Sequence, residues 1–396
     1  MAEGEIIYLD NNATTQLDPA VIEEMLPFLT KYYGNPSSGY VFGATARKAI
    51  NLARERLAAL LGCKPTEIIF TSGGTESNNA AINSAIHFTG RGKHVITTAV
   101  EHSAVLRPCQ DLEKQECPIT FLGVDRHGNV DLAELEAAIR PETALVSIMW
   151  ANNETGVVFP IEKIAEVCHA KGVMFHTDAV QATGKIPMSV RDTPINFLSL
   201  SAHKFHGPKG VGALYVSPQT RFTPLIAGGS QENGRRGGTE NVASIVGLGK
   251  AAELAAKYLK EGKSDICSMR DRFEKSIFER VGGVSVNGAS AVRLSNTSSL
   301  SFEGIESPAM LLLLDREGIC CSAGSACRTA SQEASHVLRA MNPGADGARR
   351  SVRFSLGRFN TDAEIDRAVE IIPKVVQKLR NTSASTHVFT AMPARS

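Results

Sequence analysis

The chain has 396 residues, 42 lysines and arginines against 41 aspartates and glutamates, and 43% apolar residues. At about 150 residues per domain that length predicts two to three domains with a sizeable core, and the composition excludes a disordered chain. A net charge of +1 argues against nucleic acid as a partner, which would bring a basic excess. No run approaches the length of a membrane span, so no membrane is expected. The acidic opening lacks the basic region of a secretory signal, and the expected location is the cytoplasm.

In chain order, Asp18-Pro19 reads as an N-cap and first-turn proline for a helix to Tyr33, closed by Gly34. Ala46, Ile50, Ala53, Leu57 and Leu61 recur at helical spacing up to Gly62. Compact strand candidates follow at Glu67–Thr71, His94–Thr98, Thr120–Gly123, Ala144–Met149, Val173–Thr177, Phe197–Ser201 and Gly210–Val216. Helical stretches separate most of them, which predicts an α/β fold with a mostly parallel sheet between helices. Active sites in such sheets lie at the carboxyl ends of strands. A glycine-rich loop, Ala227 to Asn241, leads into helices up to about Arg280. Val284–Val286, Leu300–Phe302 and residues 351–356 read as strands, with Met310–Asp315 in a helix. Thr361 and Glu364 form a capping box for a helix to about Leu379, bent at Pro373. The expected division is a large domain over 14–255, a smaller α+β domain from 1–13 and 256–380, and a frayed tail over 381–396.

The eight cysteines are Cys63, Cys109, Cys117, Cys168, Cys267, Cys320, Cys321 and Cys327. They are too few for a disulfide scaffold, and none forms C-x-x-C or a structural zinc pattern. Without further context, each is expected to be an inert, small apolar residue.

Three segments carry chemistry. Phe70-Thr-Ser-Gly-Gly-Thr-Glu-Ser77 places two glycines and several hydroxyls between a strand and a helix. It reads either as an ordinary turn or as a phosphate cradle built on free N–H groups at the helix start. It is neither a dinucleotide fingerprint nor a Walker loop. Asp178, at the end of an apolar strand, either caps the next helix or holds a ring nitrogen protonated. Lys204 lies in Ser199-Leu-Ser-Ala-His-Lys-Phe-His-Gly207, where a solvated lysine has little reason to be. A partly buried lysine of this kind can serve as a Schiff-base nucleophile. His203 and His206 form an H-x-x-H pair with no convincing further metal ligand. Together, cradle, aspartate and lysine in that order are the parts a pyridoxal 5'-phosphate site requires.

At these residues the sequence resembles the cysteine desulfurases, in the class V aminotransferase group of fold-type I pyridoxal phosphate enzymes. The resemblance covers about residues 6 to 380. It includes Tyr8-Leu-Asp-Asn-Asn-Ala-Thr-Thr15, Gly34-Asn-Pro-Ser-Ser38, Thr71 to Ser77, Glu101-His102 and Asn152-Asn-Glu-Thr-Gly156. It continues through Thr177 to Gln181, Ser201 to Lys204, Gly237-Gly-Thr-Glu-Asn241, Ser325-Ala-Cys327 and Arg353-Phe-Ser-Leu-Gly357. The wording of 149–156 and the Arg235-Arg236 loop are closer to the nitrogen-fixation (NifS) type than to the housekeeping (IscS) type. The resemblance implies a large domain with a seven-stranded, mostly parallel sheet, and a role for each matching position. Lys204 would bind the cofactor aldehyde, Asp178 the ring nitrogen and Gln181 the phenolic oxygen, with His102 stacked on the ring and relaying protons. Gly74, Thr75, Ser201 and His203 would hold the phosphate, and Thr239 would reach the neighbouring subunit's phosphate, implying a homodimer. Asn153 would touch cofactor or substrate, and Arg353 would clamp the carboxylate of L-cysteine.

The resemblance also makes Cys327 the nucleophile that takes the substrate sulfur as a persulfide, for delivery to an iron–sulfur scaffold or other sulfur-acceptor protein. Cys327 would then serve transiently as a metal ligand in transfer; no other metal site is implied. Two departures stand out: Arg328 follows the cysteine where a small hydroxyl residue is usual, and Cys320-Cys321 is a vicinal pair. Arg328 would favour the thiolate, and Cys321 would compete for the persulfide or pair with Cys327. The rival readings on the same scaffold are a selenocysteine lyase and a true aminotransferase; the non-enzyme rival is an assembly scaffold.

Overall fold

Asp18 starts the first helix as expected, its Oδ1 accepting from the Ala20 N–H at 2.8 Å. In the computed structural model, residues 6–88, 92–262, 265–323, 334–342 and 346–390 are described. After a short strand β1 (Ile7–Tyr8), helix α1 covers Pro19–Thr30. It stops short of Tyr33 because the Lys31 and Tyr32 N–H groups both turn back to the Pro27 carbonyl, at 2.8 Å each. Helix α2 (Val41–Leu61) ends where Gly62 takes φ 71°, a left-handed conformation that favours glycine.

The elements then alternate: β2 (Ile68–Thr71), α3 (Gly74–Phe88), β3 (His94–Thr98), α4 (Ser103–Glu113), β4 (Ile119–Leu122), α5 (Leu132–Ala138) and β5 (Thr143–Ser147). They continue with α6 (Ile161–Ala170), β6 (Met174–Asp178), β7 (Phe197–Ser201), β8 (Gly212–Val216) and α7 (Val242–Glu261). The seven strands form one sheet in the order β2-β8-β7-β6-β5-β3-β4. Only β8 runs against its neighbours. The carboxyl ends of β2, β3, β5, β6 and β7 therefore share one edge, and the chain crosses back to it after each helix. Strand β5 stops two residues before Met149, whose N–H goes to the Glu101 carboxylate at 2.9 Å. Strand β6 extends one residue further than the apolar run, so Asp178 is its last residue. Strand β8 starts at Gly212, since Gly210 turns the chain at φ 76°.

The rest of the chain adds α8 (Asp265–Arg280), β9 (Val284–Val286), β10 (Thr297–Phe302), α9 (Ser307–Arg316), β11 (Ile319–Cys320), α10 (His336–Met341), β12 (Ser351–Ser355) and α11 (Asp362–Thr390). Strands β12, β10 and β9 form an antiparallel sheet, and β1 pairs in parallel with β11. Ile7, Leu9, Phe273, Phe302, Phe354 and Ile365 are buried in one apolar cluster, so Ile7 and Leu9 pack with the last third of the chain. Strand β10 begins three residues before Leu300: its Thr-Ser-Ser start is polar yet buried, which hides it from an apolar pattern. The capping box is present, with the Glu364 carboxylate 2.7 Å from the Thr361 N–H. Helix α11 continues past Asn381 as far as Thr390, and no glycine or proline interrupts the sequence between Pro373 and Pro393.

Candidate active site

The shared strand edge collects the chemistry. After β2, Gly73 takes φ 149°, and a Cβ on Gly74 would lie 2.6 Å from Val180 Cγ2. A side chain at Gly74 would press on Val180, and the start of α3 stands here beside Thr75 and Ser201, the place where a helix offers N–H groups to a phosphate. Glu76 ties this turn to the glycine-rich loop: it accepts from the Ser72 N–H at 2.8 Å and pairs with Arg236 at 3.0 Å. Burial opposes ionisation of Glu76, yet the hydrogen bonds from Arg236 and Ser72 hold its carboxyl below the usual range.

Asp178, at the end of β6, is buried. Its Oδ2 accepts from Asn78 Nδ2 at 2.6 Å and its Oδ1 from the Val180 N–H at 2.9 Å. It is thus both a local cap and a carboxylate aimed by a second residue. Asn78 sits four residues after Gly74, on the same side of α3, and that spacing is the signal that would have revealed it.

One short turn after β7 carries Lys204, whose Nζ donates to the carbonyls of Asn12 and Ala13, at 2.7 Å each. The adjacent His203 has Nδ1 3.2 Å from Thr14 Oγ1. Burial first, then Lys204, Lys209 and Lys185, push His203 down to about 4, so its ring is neutral at pH 7. His206 turns away to the Gln16 carbonyl at 2.9 Å, which separates the H-x-x-H pair onto different partners. No group of three or more His, Cys, Asp or Glu side chains placed to hold a metal ion occurs among the described residues.

His102 caps α4, its Nδ1 accepting from the Ala104 N–H at 3.1 Å. Burial lowers its pKa; Asp178 opposes the shift and Lys204 adds to it. The neighbouring Glu101 is fully enclosed, with Oε1 bound to the Met149 N–H and to Thr98 Oγ1. Burial pushes Glu101 up to about 8, so it is largely a neutral acid at pH 7.

Arg353 closes the opposite side from β12. It is 1% exposed, donates to the Asn153 carbonyl at 2.8 Å and pairs with Asp10 at 2.7 Å. Asp10 also accepts from Ser322 Oγ at 2.8 Å. Between the strand edge and Arg353 lies one cavity of about 530 Å³, within the range of small-molecule sites. Of the residues singled out in the sequence, Gly74, Thr75, His102, Asn153, Asp178, Gln181, Ser201, His203, Lys204 and Arg353 all line it. Thr239 is exposed in its loop and is not part of the lining. Cys327 and Arg328 lie outside the described residues. Asn12, Asn78, Glu154 and His336 also line the cavity and were not singled out. The set fits pyridoxal phosphate: a cradle that a Cβ would fill, a buried carboxylate for a ring nitrogen, and a lysine for the aldehyde.

The vicinal cysteines lie nearby. Burial first, and then Asp10, raises the Cys321 thiol. Burial, Asp315 and Asp10 raise that of Cys320. Both are thereby kept as thiols, a poor state for a nucleophile. Cys109 and Cys168 are buried, with thiols pushed up to about 12.

Residues 7–368 match the aminotransferase class-V family. A cysteine desulfurase of Nostoc sp. is 52% identical over 378 residues, covering 96% of this chain and 94% of that protein. The solved structure of a NifS-like protein superimposes with a TM-score of 0.88 at 38% identity, over 94% of this chain and 100% of that one. That of SspA in complex with cysteine gives 0.80 at 38% identity, over 89% and 99%. The chain belongs to the class V aminotransferase family and, within it, to the cysteine desulfurases.

Proposed function

We propose that the chain converts free L-cysteine to L-alanine and takes the sulfur on to Cys327 as a persulfide. The observation that carries this reading is the single cavity on whose wall Lys204, Asp178, the glycine cradle and the buried Arg353 all stand. Pyridoxal phosphate bound there supplies an electron sink for negative charge at the substrate α-carbon. Gly74, Thr75, Ser201 and His203 hold its phosphate, Asp178 its ring nitrogen and Gln181 its phenolic oxygen, while His102 covers the ring. Lys204 Nζ, set on the turn that follows β7, takes the proton from the substrate α-carbon. Arg353 receives the substrate carboxylate, and Asn153, whose carbonyl Arg353 already holds, borders the same place. The Cys327 sulfur attacks the substrate sulfur: an S–S bond forms, the carbon–sulfur bond breaks, and the carbon left behind gains a proton. Thiol plus cysteine thus gives persulfide plus alanine with no outside oxidant.

The protein acts as a homodimer in this reading, with Thr239 reaching the partner's cofactor phosphate. Leu26, Leu29, Tyr33, Tyr40 and Val41, all more than half exposed, support such an interface on α1, α2 and their connection. The persulfide goes to an iron–sulfur scaffold or a related sulfur acceptor in the cytoplasm. The test is to incubate the purified protein with L-cysteine, measure alanine and sulfide, and locate the added sulfur by mass. Cys327→Ala is expected to lose both alanine and persulfide while keeping the bound cofactor's visible band. Normal alanine formation by that variant overturns the assignment.

A further inference from the structure

Behind Gln181 lies a second lysine that the reaction does not use. Gly184 turns the chain at φ 76°, closely packed on Phe205, and the next residue, Lys185, reaches inward. Its Nζ meets two side-chain oxygens: Gln181 Oε1 at 2.6 Å and Asn12 Oδ1 at 3.1 Å. Asn12 Oδ1 is itself fixed, since it also accepts from Asn296 Nδ2 at 3.0 Å. Gln181 lines the cavity, whereas Lys185 does not.

The two ends of a glutamine amide are nearly equal in shape and opposite in chemistry, so its neighbours decide which end faces where. Gln181 has two deciding neighbours. The Asn12 carbonyl can only accept, and it takes Nε2 at 2.8 Å; but it also receives Lys204 Nζ, so its hold on the amide is shared. Burial, then Lys204 and Arg353, lower the Lys185 pKa well below the usual lysine value. Charged or neutral, its Nζ carries hydrogens, and its contact with Oε1 at 2.6 Å is the shorter of the two. With Oε1 committed to Lys185, the hydrogen left over on the amide belongs to Nε2.

Resting on the reading above, in which Gln181 meets the cofactor's phenolic oxygen, we infer that Lys185 is a positioning residue: it locks the Gln181 amide so that an N–H, and not a carbonyl oxygen, is presented to that oxygen. The opposite orientation would set two oxygens against each other. The other charged and titratable groups near Lys185 are Lys204, Arg353, His203 and His206. Among the described residues, the hydrogen bond to Gln181 Oε1 comes from Lys185.

The readout is the pH midpoint of the colour change of the bound cofactor, measured on the loaded, full-length enzyme. An N–H on the phenolic oxygen favours its deprotonated form and lowers the midpoint, so losing that N–H raises it. Gln181→Leu is expected to raise the midpoint by about one pH unit. Lys185→Met is expected to raise it by at least half as much, and to add nothing in a Gln181→Leu background. Lys185→Gln, which also removes the charge and shortens the reach, is carried in parallel in case the methionine variant does not fold; the same direction and the same loss of effect are expected. An equal shift from the Lys185 variants in both backgrounds means that Lys185 acts only as a charge. No shift in the parent background means that Gln181 keeps its orientation unaided. Either result overturns the inference and leaves the Gln181 assignment standing. No shift from Gln181→Leu itself overturns that assignment, and the inference with it.

Discussion

The cavity has two walls built in different ways. Its floor is the edge of the seven-stranded sheet, where Asp178 and Lys204 stand at or just past strand ends and the Gly74 cradle follows another. Its far wall is made from residues remote in sequence: Asp10 holds Arg353 across 343 positions, and Ser322 joins the same carboxylate. The floor places groups by regular secondary structure, so each is fixed by its own strand. The wall carries Arg353 on β12 and aims its side chain by cross-links, so its direction depends on Asp10 and on the Asn153 carbonyl. The floor should therefore govern the chemical step, and the wall the capture of substrate.

The sharpest break of that division comes from the floor. Asp178→Asn keeps the shape and leaves an oxygen able to accept from Asn78, but removes the negative charge beside the ring nitrogen. Turnover is expected to fall about 10³-fold, with the cofactor still held through its phosphate. Steady-state kinetics beside a cofactor assay check this. A rise in KM with kcat intact would assign Asp178 to capture and undo the division.

The wall gives a smaller effect of the other kind. Asp10→Asn keeps the side-chain volume and weakens the charge-assisted bond that orients Arg353. KM for L-cysteine is expected to rise about tenfold, the worth of one such bond, with kcat changed by less than about threefold. A large loss of kcat at unchanged KM would show that Arg353 acts on the chemistry rather than on binding.

The same division explains what the sequence makes legible. The floor residues end apolar runs or open helices, and those are local signals; hence Lys204, Asp178 and the cradle stand out from residue order alone. Arg353 reads in isolation as a surface residue at a strand end and gains its role only from resemblance. Asp10 lies inside a matching motif without a visible task, because its partner is a third of a thousand residues away. Asn12 is harder still: its carbonyl serves Lys204 and Gln181 while its side chain serves Lys185 and Asn296, and no pattern in one stretch of chain encodes that meeting. Element order was legible for the same reason as the floor. Boundaries moved where a side chain took a backbone group, as Glu101 does at Met149, or where a strand was polar and buried, as at Thr297.

The mildest prediction separates two buried carboxyls within the floor. Asp178 has a partner on each oxygen, whereas Glu101 Oε2 has none among the described residues. Burial raises Glu101 to about 8 from an ordinary value near 4.5. Between those two values the folded chain binds a proton that the unfolded chain has released. Stability therefore falls as pH rises through that window, and the contribution is fully present only below it. Glu101→Gln replaces the neutral acid with a neutral amide that does not titrate. The fall in melting temperature between pH 5 and pH 8 is expected to be a few degrees smaller in the variant than in the parent protein. Parallel melting curves for the two across that range would mean that Glu101 is already ionised in the fold.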